Sequence, residues 1–298
     1  MKNIALFENL GKPEAIKWAE YSAKKLILLD AKLCAESSLI NKMDTEIAEN
    51  IRPLEIEEFE KFADVLISFG GDGTMLHASR LMLHTNIPIM GVNVGKLGFL
   101  AEFSVTELDA SLKRLLEGDY RIVDRTVLET ELQGEKIYAL NDFVIEKKLT
   151  SRMLTIEAYA NDHYIGEYRS DGLIITTPTG SSAYSLSCGG PIIAPTTEVV
   201  CLTPISPHTL TLRPLVIPDS SEITITAYSP NGIASLVGDG QVERTIKNDE
   251  SVTFRRSESR VKLIKPSGSS YFNVLRNKML WGAHTIDKEM LKKELNND

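Results

Sequence analysis

The chain has 298 residues, 43% of them hydrophobic, which is enough for two domains with cores of their own. Its formal net charge of -8 argues against a general nucleic-acid or membrane-surface binder, and it obliges any phosphate site to gather cations locally. Cys34, Cys188 and Cys201 are odd in number and lack metal-ligand spacing, which points to a reducing cytoplasm; Met1 to Phe7 turns polar too soon for a signal peptide, and no apolar run approaches the roughly 20 residues of a membrane span.

Residues 3 to 7 read as a first strand. Pro13 to Leu26 reads as a helix, and Leu26 to Asp30 as a second strand. Residues 35 to 60 are polar, acidic and weakly periodic, which predicts a loop or a mobile helix. Ala63 to Phe69 is short and rich in Val, Leu and Ile, as a buried strand should be. Thr74 to Leu83 carries Met75, Leu76, Ala78, Leu81 and Met82 at helical spacing. Ile87 to Val92 is another apolar strand, ended by Asn93-Val94-Gly95-Lys96-Leu97-Gly98-Phe99. Val105 to Gly118 reads as a helix, with Thr106 as cap and Gly118 as stop. Strands alternating with helices predict a Rossmann-like parallel sheet. Ligands of such sheets lie beyond the carboxyl ends of the strands, where the 69–74 turn and the 93–99 loop both fall.

Between the strand and the helix lies Phe69-Gly70-Gly71-Asp72-Gly73-Thr74. Glycine admits unusual backbone angles and lets a bulky ligand approach the main chain. A helix start offers N–H groups and partial positive charge to a phosphate. Asp72 does not fit a simple phosphate cradle. Its charge is unfavourable there unless it takes a proton or holds a cation. The plain alternative is a tight turn with Asp72 as helix cap. The turn is neither a nucleotide P-loop nor a G-x-G-x-x-G fingerprint.

The pattern changes near residue 121. Thr126–Leu132, Ile137–Glu146, Leu154–Ala160, His163–Tyr168 and Leu173–Thr177 look like strands, as do Val199–Thr203, Glu222–Tyr228, Ala234–Val237, Ser251–Arg255 and Val261–Ile264. Many short strands predict packed antiparallel sheets. From Tyr271 onward a charged, helix-like tail carries Phe272, Leu275 and Trp281, which need a surface to cover; the first domain is the expected one. The predicted division is an α/β domain over residues 1–122 and 271–298, and a β-rich domain over 123–270.

Asn141-Asp142 interrupts an apolar strand, so one of the two side chains faces the core or a cleft. Burying it unpaired would cost a few kcal/mol. A strand bulge and a ligand site explain it equally well. Asp171 to Ser187 runs from an apolar strand through Pro178-Thr179-Gly180 into the hydroxyl-rich Ser181-Ser182-Ala183-Tyr184-Ser185-Leu186-Ser187, stopped by Gly189-Gly190-Pro191. It is either a grip for a polar ligand or a capped helix start. Arg152 and Arg169 flank it and could supply the local positive charge. Gly238-Asp239-Gly240-Gln241 reads first as a hairpin connection. His77, one turn after Gly73, could face the same ligand or solvent. Five histidines without a His/Cys/Glu cluster suggest no zinc site. Ser182 and Ser185 have no evident His partner for nucleophilic catalysis.

Gly70-Gly71-Asp72-Gly73-Thr74, Asn141-Asp142, Asp171 to Ser187 and Leu212-Arg213-Pro214-Leu215-Val216 together resemble the NAD kinase family. The first segment alone is shared with lipid kinases and, in variant form, phosphofructokinases. The Asp171 to Ser187 stretch is far more specific. The resemblance implies transfer of the γ-phosphoryl group of ATP to the 2′-hydroxyl of the adenosine ribose of NAD, with a divalent metal, usually magnesium; some relatives use polyphosphate. It implies a homodimer or homotetramer with NAD near a subunit contact. It makes Asp72 the base, with the donor phosphates at Gly70, Gly71, Gly73 and Thr74. It lines the NAD site with Asp72, Gly73, His77, Asn141, Asp142, Arg152, Arg169 and Asp171, then Ser182, Ala183, Tyr184, Ser185, Leu186, Ser187 and Gln241. The family often has glutamate at the position of Asp142 and threonine at that of Ser182, while the position of His77 varies. A lipid or sugar acceptor is one alternative, disfavoured by the acidic balance and the lack of an amphipathic membrane helix. A non-catalytic dinucleotide sensor is another, and Asp72 argues against it.

Overall fold

The structure is a computed structural model that describes residues 2–8, 12–95, 98–149 and 151–281. Lys96 and Leu97 of the 93–99 loop, and the tail from residue 282, lie outside the described residues.

Helix Pro13–Leu28 buries Ala15, Ala19, Ala23 and Leu26, the stripe expected at helical spacing. Pro13 suits its first turn, where no N–H is needed. The helix absorbs Leu26, Ile27 and Leu28, so the strand expected at Leu26–Asp30 instead begins at Lys32 and runs Lys32–Ala35. Leu26 decides this, because it completes the buried helical stripe. Residues 35–60 are also more ordered than expected. They form short helices Ser37–Ile40 and Thr45–Ala48, an edge strand Ile51–Pro53 and a 3-10 turn Ile56–Lys61 around the fully buried Phe59. Helix Leu108–Glu117 buries Leu108, Leu112 and Leu115 and stops at Gly118, whose φ of 82° favours glycine. Thr106 is not its cap: it lies in the preceding 3-10 turn Val105–Glu107, which Ser104 caps by accepting the Thr106 N–H at 3.2 Å, and the helix itself starts after Glu107 without a side-chain cap.

The first sheet runs Ile51–Pro53, Lys32–Ala35, Asn3–Glu8, Val65–Gly70, Ile89–Asn93, Val261–Pro266, Tyr120–Arg125, with Phe103–Ser104 beside Ile89–Asn93. The first five are parallel; Val261–Pro266 joins them in parallel, and Tyr120–Arg125 closes the edge antiparallel. Apolar clusters cover both faces, as a parallel sheet requires. Residues 261–266 therefore belong to the first sheet, not to the β-rich domain. A strand's own residues do not specify its hydrogen-bonded neighbours, so this return could not be read from its pattern.

The second domain is a sandwich of two six-stranded antiparallel sheets. One carries Leu215–Pro218, Val199–Ile205, Gly172–Thr176, Asp142–Lys147, Ile233–Gly238 and Val242–Lys247. The other carries His163–Ser170, Leu154–Ala160, Ile223–Tyr228, Ser251–Arg256, Leu128–Leu132 and Glu135–Ala139. Their inner faces meet through alternating residues such as Phe143, Ile145, Leu173 and Ile175 against Leu154, Ile156, Ile225 and Phe254. Each such side chain contributes about 1.5–3 kcal/mol when fully buried. The single strand expected over Ile137–Glu146 is two strands, one in each sheet, broken at Leu140-Asn141.

Helix Tyr271–Met279 buries Val274 and Leu275, and the Lys278 ammonium stands 5.6 Å above the Phe99 ring, so the chain does return to the first domain. Phe272 and Trp281 remain 61% and 54% exposed, so of the three apolar residues only Leu275 finds cover among the described residues. No helix among the described residues is long and apolar enough to cross a membrane.

Candidate active site

Strand Val65–Gly70 delivers the glycine turn, and helix Asp72–Leu81 starts on Asp72. The residue before the helix is Gly71, so Asp72 is not the cap. Its carboxylate instead reaches the neighbouring loop. Oδ2 accepts the Phe99 N–H at 2.8 Å, and Oδ1 accepts those of Leu100 at 3.0 Å and Ala101 at 3.2 Å. A carboxylate offers about four acceptor positions, so roughly one is left. Gly98 makes this contact possible, since a Cβ there would fall 1.9 Å from Asp72 Oδ1. His77 stands edge-on to Phe7, with ring centroids 5.7 Å apart. Burial first, and Arg80 second, lower its pKa.

The second domain presents Asn141 and Asp142 from the break between its strands. Asp239 causes that break: its carboxylate accepts the N–H groups of Leu140 at 2.8 Å, Asn141 at 2.7 Å and Asp142 at 3.2 Å. The Gly238–Gly240 turn is the expected hairpin connection, with Asp239 at φ 52°, but its side chain also shapes the site. Replacing Asp239 with Ala would leave three N–H donors without their acceptor. The expected cost is about 1–3 kcal/mol per buried donor, read as a clear drop in thermal midpoint. Thr176 Oγ1 donates to Asn141 O at 3.0 Å and Thr177 Oγ1 to Leu140 O at 2.6 Å. Gly180 approaches so closely that a Cβ would lie 2.2 Å from Asn141 O. The Thr-Pro-Thr-Gly stretch and Asn141-Asp142 are thus one unit. Gln241 then joins this unit to the glycine turn, with Nε2 donating to Gly73 O at 3.0 Å.

Asp142 is 5% exposed, and burial with the nearby Asp239 carboxylate pushes its pKa up to about 7. Burial raises Asp239 too, but three N–H bonds and Arg80 pull it back toward the charged form. Asp142 is therefore the member of the pair that keeps a proton near neutrality.

Tyr184–Ser187 forms one short helical turn. Ser185 points inward, its hydroxyl 2.8 Å from that of the buried Thr203. Tyr184 and Ser187 are exposed, and Ser182, Ala183 and Leu186 are half-buried. The Tyr184 pKa is raised by burial, then by Cys188, Glu146, Asp142 and Asp171. Its hydroxyl therefore lies within electrostatic range of the row Asp142 to Glu146. Asp171 sits at the far end of that strand, where it pairs with Lys147 at 2.7 Å. Five strand residues put it roughly 17 Å from Asp142. Lys147 lies outside every motif in the sequence.

Arg152 and Arg169 sit elsewhere. They share a shallow depression with Met153 and Tyr228 beside the second sheet of the sandwich. Arg121, Arg125 and Lys265 instead line a cavity of about 370 Å³ together with Phe99, Thr179 and Ser182. No sequence motif pointed to them.

Residues 4–120 match the family described as the ATP-NAD kinase N-terminal domain, and residues 140–266 the ATP-NAD kinase C-terminal domain. A protein of Geobacter metallireducens called NAD kinase is 38% identical over 296 residues, covering 95% of this chain and 99% of its own. The chain belongs to the NAD kinase family. Two solved structures share the fold. The yeast NADH kinase complexed with NADH superposes with a TM-score of 0.85 at 21% identity, covering 96% of this chain and 89% of its own. An NAD kinase from Archaeoglobus fulgidus in complex with ATP gives 0.73 at 24% identity, covering 93% and 98%. The segments that resembled NAD kinases in sequence divide in space. Gly73, Asn141-Asp142, the Thr-Pro-Thr-Gly stretch and Gln241 are tied together, while Asp171 and the two arginines stand apart.

Proposed function

We propose that this protein is an NAD kinase that transfers the γ-phosphoryl group of ATP to the 2′-hydroxyl of the adenosine ribose of NAD, giving NADP and ADP. The observation that carries the reading is the Gln241–Gly73 hydrogen bond, which joins the phosphate-type turn to the Asn141-Asp142 unit across the two domains. The relatives named NAD kinase, and the neighbours bound to NADH and ATP, support the two substrates.

The dinucleotide would lie along the row from Asp142 toward Asp171, under Tyr184, with Ser182 and Ser187 at its edge. Asn141 and Asp142 would hold ribose hydroxyls. The start of helix Asp72–Leu81 and its glycines would face the donor phosphates. Asp72 takes the hydroxyl proton as the ribose oxygen bonds to the γ-phosphorus and the bond to ADP breaks. It does so with its remaining acceptor position, or after one loop N–H lets go. Most of the rate would come from aligning donor and acceptor.

A divalent cation, such as Mg²⁺, would arrive on the donor phosphates and neutralise their charge. The described residues contain no group of three or more His, Cys, Asp or Glu side chains able to cage it. Assembly as a homodimer or homotetramer belongs to the same proposal, and it would give Arg152 and Arg169 a neighbouring subunit's groove to reach. A cytoplasmic setting fits three cysteines that are all free.

The test is direct. Purified protein with ATP, magnesium and NAD should form NADP. Transfer to a lipid or sugar instead, or NAD binding without transfer across several donors and metals, would overturn the reading.

A further inference from the structure

The cavity between the two domains holds the positive charge that an acidic chain must gather for an anion. Arg121 stands at its exposed edge, and Arg125 and Lys265 are 9% and 3% exposed. Glu102 is the one acid among the lining residues. It pairs with Lys265 at 2.7 Å and accepts the Ser269 hydroxyl at 2.7 Å. Three cations against one carboxylate leave an excess of two positive charges. Among the described residues, Arg125 makes a single long hydrogen bond, from Nη1 to Asp124 O at 3.5 Å. A guanidinium carries five N–H donors, and Arg125 lines the cavity with most of them free of a protein acceptor, while the Glu102 charge reaches it.

The cavity's position matters as much as its charge. Lys265 Nζ donates to Leu100 O at 3.0 Å, while the Leu100 N–H donates to Asp72 Oδ1 at 3.0 Å. The Asp72 charge also reaches the Lys265 ammonium. One residue thus has the buried cation on its carbonyl and the carboxylate on its amide. The volume of about 370 Å³ is that of a small-molecule site.

We propose that this cavity is a phosphate-binding site, in which Arg121, Arg125 and Lys265 hold a phosphate group beside the loop that grips Asp72. A phosphate monoester carries about two negative charges at neutral pH, the sign that this lining favours. The fork of Arg125 suits two of its oxygens. The proposal rests on the kinase reading only for the phosphate's carrier: the tail of the donor, or the 2′-phosphate of the product.

Titration calorimetry of the full chain with inorganic tripolyphosphate tests it. The wild type should bind, and Arg125→Gln should weaken binding about tenfold or more. Arg121→Gln, at the exposed edge, should weaken it by a smaller factor without disturbing the fold. Failure of the wild type to bind, or binding by folded variants within about twofold of wild type, overturns the proposal. Two further arms identify the carrier. A higher KM for ATP in Arg121→Gln, with NAD unchanged, assigns the donor tail. Weaker NADP binding with unchanged NAD binding assigns the product. Absence of NADP formation by the wild type would sink the kinase reading and leave the tripolyphosphate result standing.

Discussion

Asp72→Asn is expected to lower kcat for NADP formation by about 10²–10⁴, or roughly 3–5 kcal/mol. The loss has two sources that can be told apart. Asparagine cannot take the ribose proton. It also brings an NH₂ group against a loop that offers only donors, the N–H groups of Phe99, Leu100 and Ala101. At least one of those N–H groups would lose its acceptor, at about 1–3 kcal/mol where it is buried. The base role predicts equal falls in kcat and kcat/KM, with KM for NAD nearly constant. The loop role predicts a lower thermal midpoint and a higher KM. Both effects should appear, with the fall in kcat dominant. A folded Asp72→Asn protein that turns over within about threefold of wild type would end the base assignment.

What the sequence revealed followed from periodicity. The stripe Ala15, Ala19, Ala23, Leu26 and the alternation Leu154, Ile156, Ala158 each have a period that a packed face imposes, and both elements formed where that period ran. The glycine turn was legible because a strand–glycine–helix passage has few uses. What stayed hidden depends on partners distant in sequence. Val261–Pro266 looks like any strand until Ile89–Asn93 is placed beside it. Asp72 grips amides 27 to 29 residues away, and Asp239 grips amides 97 to 99 away. An isolated acid in a turn gives no sign of such bonds. The same holds for Arg125 and Lys265, whose strands are neighbours only in the folded sheet. Arg152 and Arg169 flank the Asp171 to Ser187 motif in sequence, but the fold gathers them in a depression beside the second sheet of the sandwich.

Asp142 should make the protein less stable as pH rises toward neutrality. Burial first, and Asp239 second, push its pKa up to about 7 in the folded chain. In the unfolded chain it titrates near 3.9. Between those values the folded state holds a proton that the unfolded state has released. The stability it contributes is therefore complete below about pH 4 and is lost as pH climbs to about 7. Three units correspond to about 4 kcal/mol as an upper figure. Asp142→Asn removes the titration and stays neutral throughout. The wild-type thermal midpoint should fall from pH 5 to pH 8 by several degrees more than the variant's, leaving the variant more stable at pH 8. The proposed function explains why a carboxyl stands there at all. An ionised Asp142 accepts hydrogen bonds from ribose hydroxyls more strongly than an amide does, so KM for NAD should rise in the variant most at pH 8. Midpoint curves for the two proteins that run parallel across this range would show that Asp142 does not carry the buried proton. A variant whose KM for NAD is unchanged at pH 8 would remove it from the dinucleotide site.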